Sequence, residues 1–363
     1  MPKVRTPKFK LDIGGLDFSS PKLKERVMEI EVEQVSDGAS SFKIILNDGD
    51  DGFGSATLGE IKEGASCVIE LGYYETGMKQ VIEGFVTGAG QKRTEHTRKI
   101  FEVTGFDGLQ KLTRGRYQRA WDKIKDTDLA GIIAGECGLG SDFEDSKIIH
   151  PHVVQNNVNN LAFLNERAKR IGFEVKVEKS KLVFKKPSRV KTGVILRWDG
   201  SVATKDTLIL QRCDFNATTM GVPEEVTVRG YDPKTAKPII GTSSNVNGGT
   251  MGGEAEATTL AVDAAKGVNT KIQISDQPVA SVEEAERLAE SILNQRTDNF
   301  LTGNGSCEGH PDVSCGKIIE IKDTGKEMEG EFYVTGATHT FKVGHGAGDV
   351  GYWTKFQVSR SGR

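Results

Sequence analysis

At 363 residues, with 36% hydrophobic and 27% charged side chains, the chain has the composition of a soluble globular protein, with room for two or three domains of ordinary size. A net charge of −3 and a pI near 6.2 argue against a dedicated nucleic-acid binder, which carries a strong basic excess. Five scattered cysteines without a CxxC pair point to folding in a reducing compartment. The N-terminus lacks an apolar h-region, and no stretch approaches the apolar length of a spanning helix, so neither secretory export nor membrane insertion is expected. Lys3, Arg5, Lys8 and Lys10, and later Lys111, Arg114, Arg116, Arg119, Lys123 and Lys125, make basic runs. Neither is interleaved with stacking aromatics, so both read as solvated faces or protein contacts.

Residues 1–115 read as strands and turns. Met28, Ile30 and Val32 alternate with Glu29, Glu31 and Glu33. Phe42, Ile44 and Leu46 repeat the pattern beyond a turn at Asp37-Gly38, and further strands cover 67–74, 80–90 and 98–106. With Gly-rich turns and no helical period, this is a small antiparallel barrel or sandwich. The period then changes over 116–189. Thr127 is placed to cap a short helix carrying Leu129, Ile132 and Ile133 and ending at Gly138. A second helix from Asn159 to Ile171 has Leu161, Leu164, Ala168 and Ile171 in one stripe, with Gly172 as its stop. A hairpin turning at Lys179-Ser180 follows, which makes this region a small α+β domain.

Strands resume from 190, at Val194–Trp198, Leu208–Phe215 and Val226–Tyr231. A Gly-rich loop over 245–256 lacks the Lys of a phosphate-cradling loop. Ser281-Val282-Glu283-Glu284 matches a capping box opening a helix over 281–296. Residues 190–363 therefore read as a second β-barrel with that loop and an inserted helix. The whole is mainly β with an α+β insertion: two tandem barrels plus a small helix-containing domain.

The two barrels carry one text. Ile69-Glu70-Leu71, Phe85-Val86-Thr87-Gly88-Ala89 and Phe101-Glu102-Val103-Thr104 recur in order as Ile319-Glu320-Ile321, Tyr333-Val334-Thr335-Gly336-Ala337 and Phe356-Gln357-Val358-Ser359. Each block alternates apolar and polar side chains, one face for a core and one for water.

Signals of chemistry are weak. No GxSxG, HExxH or dinucleotide fingerprint occurs. His150 and His152 sit two apart, a spacing a metal could use, although two unrelated strand histidines are the commoner case. Cys307, His310 and Cys315 offer soft ligands without a fourth nearby, and small buried residues explain Cys67 and Cys315 more cheaply. Asp48, Asp50 and Asp51 lack the register of a calcium loop. Neither a metal nor a cofactor is expected, and a structural role is favoured over an enzyme.

The segments Phe106–Gly115, Asn160–Gly172, Val228–Pro233, the helix from Ser281 and the closing strands with His339 and Tyr352-Trp353-Thr354 together resemble the baseplate hub proteins of contractile tails. These are the phage late-control D family and the hub portion of type VI secretion spike proteins. The resemblance implies two barrels of tail-tube type per subunit and a homotrimer whose six barrels make a pseudo-sixfold ring. Such a hub adapts a hexameric inner-tube protein to a trimeric spike protein, touches other baseplate proteins, and encloses a central channel for cargo or DNA. It implies a place in the baseplate of a phage tail, tailocin or extracellular injection machine. Candidate tube or subunit contacts are Phe85, Val86, Thr87, Phe101, Val103, Tyr333, Val334, Thr335, Phe356 and Val358, with the loops Gly90–Arg98 and Lys342–Gly351 distinguishing the two barrels. The alternatives are a tail-associated cell-wall hydrolase, with a catalytic Glu or Cys/His pair within 116–189, and a carbohydrate-binding β protein.

Overall fold

The computed structural model of the chain describes residues 5–48, 58–92, 99–198, 207–244, 256–265, 270–343 and 351–362. The expected Gly-rich loop over 245–256 lies outside the described residues but for its last position, as do Asp50, Asp51 and most of the two hairpin loops.

The first barrel is built from β1 (Pro7–Ile13), the short β2 (Leu16–Asp17), β3 (Val27–Val35), β4 (Ser41–Asn47), β5 (Ser66–Tyr73), β6 (Gly77–Lys92) and β7 (Ile100–Asp107). Phe9, Leu11, Ile30, Val32, Ile44, Leu46, Ile69, Leu71, Val86 and Val103 point into its core, as alternation requires. Met28 is only half-buried because a bulge between Val27 and Glu29 shifts the register there.

A small α+β unit follows. It holds β8 (Tyr117–Lys125), α1 (Asp126–Glu136), β9 (Gly140–Phe143), β10 (Ile149–Val158), α2 (Asn160–Ile171), β11 (Glu174–Glu178) and β12 (Lys181–Lys185). Helix α2 starts and stops where the sequence indicates. The Asn159 side chain accepts the Ala162 N–H at 2.8 Å, and Gly172 ends the helix in the left-handed region at φ 69°. Thr127 does not cap α1. It lies inside the first turn, where its hydroxyl accepts from Ser146 N–H at 2.8 Å and donates to the Glu144 carbonyl, tying the helix start to that loop. Ile132 is exposed, while Leu129 and Ile133 are buried.

Beyond it come β13 (Val190–Arg197), β14 (Thr207–Ala217), β15 (Val226–Asp232), β16 (Lys237–Ser243), α3 (Ala257–Ala265), β17 (Ile272–Ile274), α4 (Val282–Asp298), β18 (Leu301–Glu308), β19 (Lys317–Lys322), β20 (Gly330–Lys342) and β21 (Gly351–Arg360). Strands β13, β14, β18, β21, β20 and β19 close on themselves into the second barrel. Its ladder is not wholly antiparallel: β13 runs parallel to both β14 and β19, a direction that alternation cannot encode. The strand Val226–Asp232, expected in this barrel, leaves it. It pairs with β16 and β17 in a separate sheet, with its own core of Val226, Val228, Ile239, Leu288 and Leu293 beneath α4. Gly241 allows that approach, since a Cβ there would come within 2.3 Å of the Ala285 and Glu286 backbone.

The two barrels are one sheet of 13 strands, joined where β20 pairs with β3. The long β20 serves both, sending Phe332 and Val334 into the second core and Phe341 into the first. The repeat is real in structure. Strands β5–β6–β7 and β19–β20–β21 are both antiparallel meanders, and each central strand carries a bulge at the same residue of the repeat, Thr87 and Thr335. The flanking blocks are offset, however. Val103 lies opposite Ala89, whereas Phe356, not Val358, lies opposite Ala337. A two-residue slip keeps every side chain on its face, so the pattern survives a change of register.

Candidate functional site: a polar sheet face spanning both barrels

Opposite the cores, the run of strands from β14 through β18, β21, β20, β3, β4 and β7 to β6 turns a second face outward. One row crosses it as Arg212, Ser306, Lys355, Thr338, Glu33 and Ser41. The next rows carry Thr340, Glu31, Lys43 and Thr104, then Lys342, Glu29, Ile45 and Glu102. Its apolar members include Ile45, Trp353 and Phe106. Charges of opposite sign meet across strands: Lys342 with Glu29 at 3.4 Å, Lys43 with Glu102 at 3.3 Å and Lys92 with Glu102 at 2.7 Å. The hydrogen bond from Lys92, then that from Lys43, holds the Glu102 carboxyl below its ordinary range despite partial burial. A hollow of ≈ 420 Å³ opens on this face at the seam between barrels, lined by Glu33, Arg212, Asp214, Asn304, Lys355 and Gln357 among others. The face is polar, charged in both signs, and crosses from one barrel to the other without interruption of the ladder.

The candidate contact residues divide by face. Val86, Phe101, Val103, Val334, Phe356 and Val358 are buried core side chains, because half of an alternating block must point inward. Phe85, Thr87, Tyr333 and Thr335 are half-buried on the other side. Phe85 and Tyr333, equivalent in the repeat, both line a cleft of ≈ 370 Å³ between the barrels and β11. The Lys111 ammonium stands 5.0 Å from the Phe85 ring centre there, and burial, then the Glu174 charge, pushes the Tyr333 hydroxyl pKa up. Gln34 braces the same seam. Its amide donates to the Val81 carbonyl at 2.8 Å and accepts from Ser314 Oγ at 2.8 Å and Cys315 N–H at 3.0 Å.

The other residues singled out by sequence are not brought together. His150 is buried between Asp126 and Glu284, whereas His152 is exposed and pairs with Asp122 at 2.6 Å. Cys307 sits in the second core, His310 Nδ1 accepts from Asp312 N–H, and the Cys315 thiol donates to the Thr335 carbonyl. Among the described residues, no group of three or more His, Cys, Asp or Glu is arranged to hold a metal. Asp48 instead accepts from the Gln91 amide at 3.1 Å. Burial pushes all five thiols up, Cys315 to about 12, the reverse of what a nucleophilic cysteine needs. Among the described residues, no helix is long and apolar enough to cross a membrane.

No curated protein matches the chain. Among solved structures, it is similar to the 43 kDa tail protein of prophage MuSo2 from Shewanella oneidensis, with 14% identity over 98% of this chain and 99% of that one and a TM-score of 0.70. A tail protein from Neisseria meningitidis is 12% identical over 98% of this chain and 96% of that one, with a TM-score of 0.66. An E. coli component of the type VI secretion system, itself described as structurally similar to the T4 tail proteins gp27 and gp5, is 13% identical. It is covered over 76% of its length by 96% of this chain, with a TM-score of 0.57. The fold is thus that of these tail proteins. By sequence, residues 6–342 match the model described as the Alg8 N-terminal domain, and the chain belongs to that family.

Proposed function

We propose that the protein is the structural hub of a contractile tail or injection-system baseplate, a homotrimer that adapts a hexameric inner tube to a trimeric spike. The observation that carries this reading is the polar face crossing both barrels through β20 and β3. One subunit thereby supplies two similar lobes side by side in a single wall, and three subunits supply six. Ring closure by head-to-tail contacts requires rotations that sum to a full turn, which two lobes per chain divide into sixths. The wall's channel side would be the face of Lys43, Glu102, Glu29 and Lys342, whose mixed charges give a passing polymer no uniform field and little apolar surface to adhere to. Thr87 and Thr335, at the bulges that bend their strands, are the residues of the candidate set we assign to tube or neighbour contacts. Raised thiol pKa values and a mixed-charge sheet face shared by both barrels support a structural rather than enzymatic role.

Native mass spectrometry, alone and with the cognate tube and spike proteins, tests the reading. A threefold species, or one that forms on adding the spike, is expected. A chain that stays monomeric with both partners present would overturn it.

A further inference from the structure

The α+β unit holding α1 and α2 meets the unit beneath α4 through a buried cluster of charges. Asp126, at the start of α1, is fully buried, and it accepts from Arg167 Nε at 2.5 Å. His150 on β10 lies between two carboxylates, with Nε2 2.9 Å from Asp126 and Nδ1 3.3 Å from Glu284 of α4. Arg170 of α2 donates to Glu284 at 3.1 Å and to the Pro278 carbonyl at 2.7 Å. The second Glu284 oxygen accepts from Ala280 N–H at 2.9 Å, two residues before the helix begins. On β8, the residue opposite His150 is the uncharged Ile124. The charged groups facing the imidazole are therefore Asp126 from α1, Arg167 from α2 and Glu284 from α4, with Arg170 behind Glu284.

Two protonation states fit this geometry, and they differ in partners. Arg167 Nη2 also stands 2.8 Å from His150 Nε2. In the neutral ring Nε2 accepts from Arg167 while Nδ1–H donates to Glu284. In the imidazolium, both ring N–H groups donate to carboxylates, Nε2 to Asp126 and Nδ1 to Glu284, and Arg167 keeps only Asp126. We propose that this cluster is a proton-responsive latch, which grips the α4 unit more tightly when His150 is protonated and relaxes it when the ring is neutral.

The energetics have a definite sign. Burial disfavours the imidazolium, but its hydrogen bonds to Asp126 and Glu284 outweigh it and hold the His150 pKa above its ordinary 6.5. The stabilisation is therefore complete below 6.5 and is lost as pH rises through the raised value. Both carboxylates have lowered pKa values, Glu284 to about 2 despite burial, so they stay charged through mild acid and lose their contribution only well below it. The grip is strongest in mildly acidic solution. The bonds from Ser291 Oγ and Gln295 Nε2 of α4 to the Lys169 carbonyl do not titrate, so the contact is modulated and never abolished. This inference is independent of the hub reading.

Hydrogen–deuterium exchange on the full chain at about pH 5.5 and about pH 8.5, corrected for intrinsic rates, tests it. Peptides of α4 should exchange several-fold more slowly at the lower pH, and His150→Gln should remove the difference. Equal corrected rates at both pH values, or a pH dependence that persists in His150→Gln, would sink the latch. Should that variant fail to fold, the ring titration of His150 by NMR in the unaltered chain decides. A midpoint above 6.5 that tracks α4 exchange supports the latch, and a midpoint at or below 6.5 overturns it.

Discussion

Replacing Gln34 by Leu tests whether the seam between the barrels is held by specific polar bonds or merely by packing. Gln34 is 8% exposed, and its three hydrogen bonds reach β6 on one side and the loop before β19 on the other, positions separated by 280 residues in the case of Ser314. At about 1 kcal/mol net each, losing them costs about 3 kcal/mol, and leaving the Cys315 N–H and Val81 carbonyl unpaired adds to that. The apolar Leu side chain, of similar volume, offsets about 1 kcal/mol. We expect a net destabilisation of about 2–3 kcal/mol in urea unfolding followed by tryptophan fluorescence, with an unchanged m value. Ser314→Ala, removing one of the three bonds, should lose about 1 kcal/mol. If Gln34→Leu unfolds within about 0.5 kcal/mol of the parent chain, the seam is held by packing and the argument fails.

Buried His339 should make the protein acid-sensitive. Burial, then the neighbouring His310, pushes its pKa down to about 3, so the unfolded chain takes up a proton below 6.5 that the folded chain refuses. Stability should fall by a few kcal/mol as pH drops from 6.5 towards 3, and His339→Gln should flatten that limb in chemical denaturation run as a pH series. Gly241→Ala should push α4 off β16, costing more than about 2 kcal/mol, visible as selective loss of exchange protection in α4. Asn159→Ala should cost about 1 kcal/mol by removing the cap of α2, measured as a lowered melting temperature with the fold retained by circular dichroism.

Features written in local residues were legible. Asn159 and Gly172 bracket α2, and the Ser281 hydroxyl accepts the Glu284 N–H at 3.1 Å as a capping box requires. The turn at Lys179-Ser180 is present, with both residues at positive φ. The repeated strands are there too, because alternation is a local property. Pairing is not local. Nothing in β20 announces that its second half will adopt β3, nor in β13 that it runs parallel to its neighbours. The strand Val226–Asp232 has the same alternation whichever sheet receives it. The polar face was half-visible as Glu29, Glu31 and Glu33, but its lysine partners lie on strands whose register only folding decides. The charge cluster was invisible for the same reason, since Asp126, His150 and Glu284 come from three separated segments. The capping-box pattern marks Glu284 only as a helix-start residue, while its side chain reaches past Ser281 to the Ala280 N–H and a histidine.

That β20 belongs to two barrels at once has a mechanical consequence. Multidomain chains ordinarily bend at a linker, where few bonds resist. Here the peptide backbone itself runs from one lobe into the other, paired along its length with β21 and flanked by β19 at one end and β3 at the other. A load pulling the lobes apart along that strand must shear several ladders together, and a load bending them must crease a continuous sheet. Such a block transmits force as a beam does: a load on one lobe is carried through the shared strand into the other.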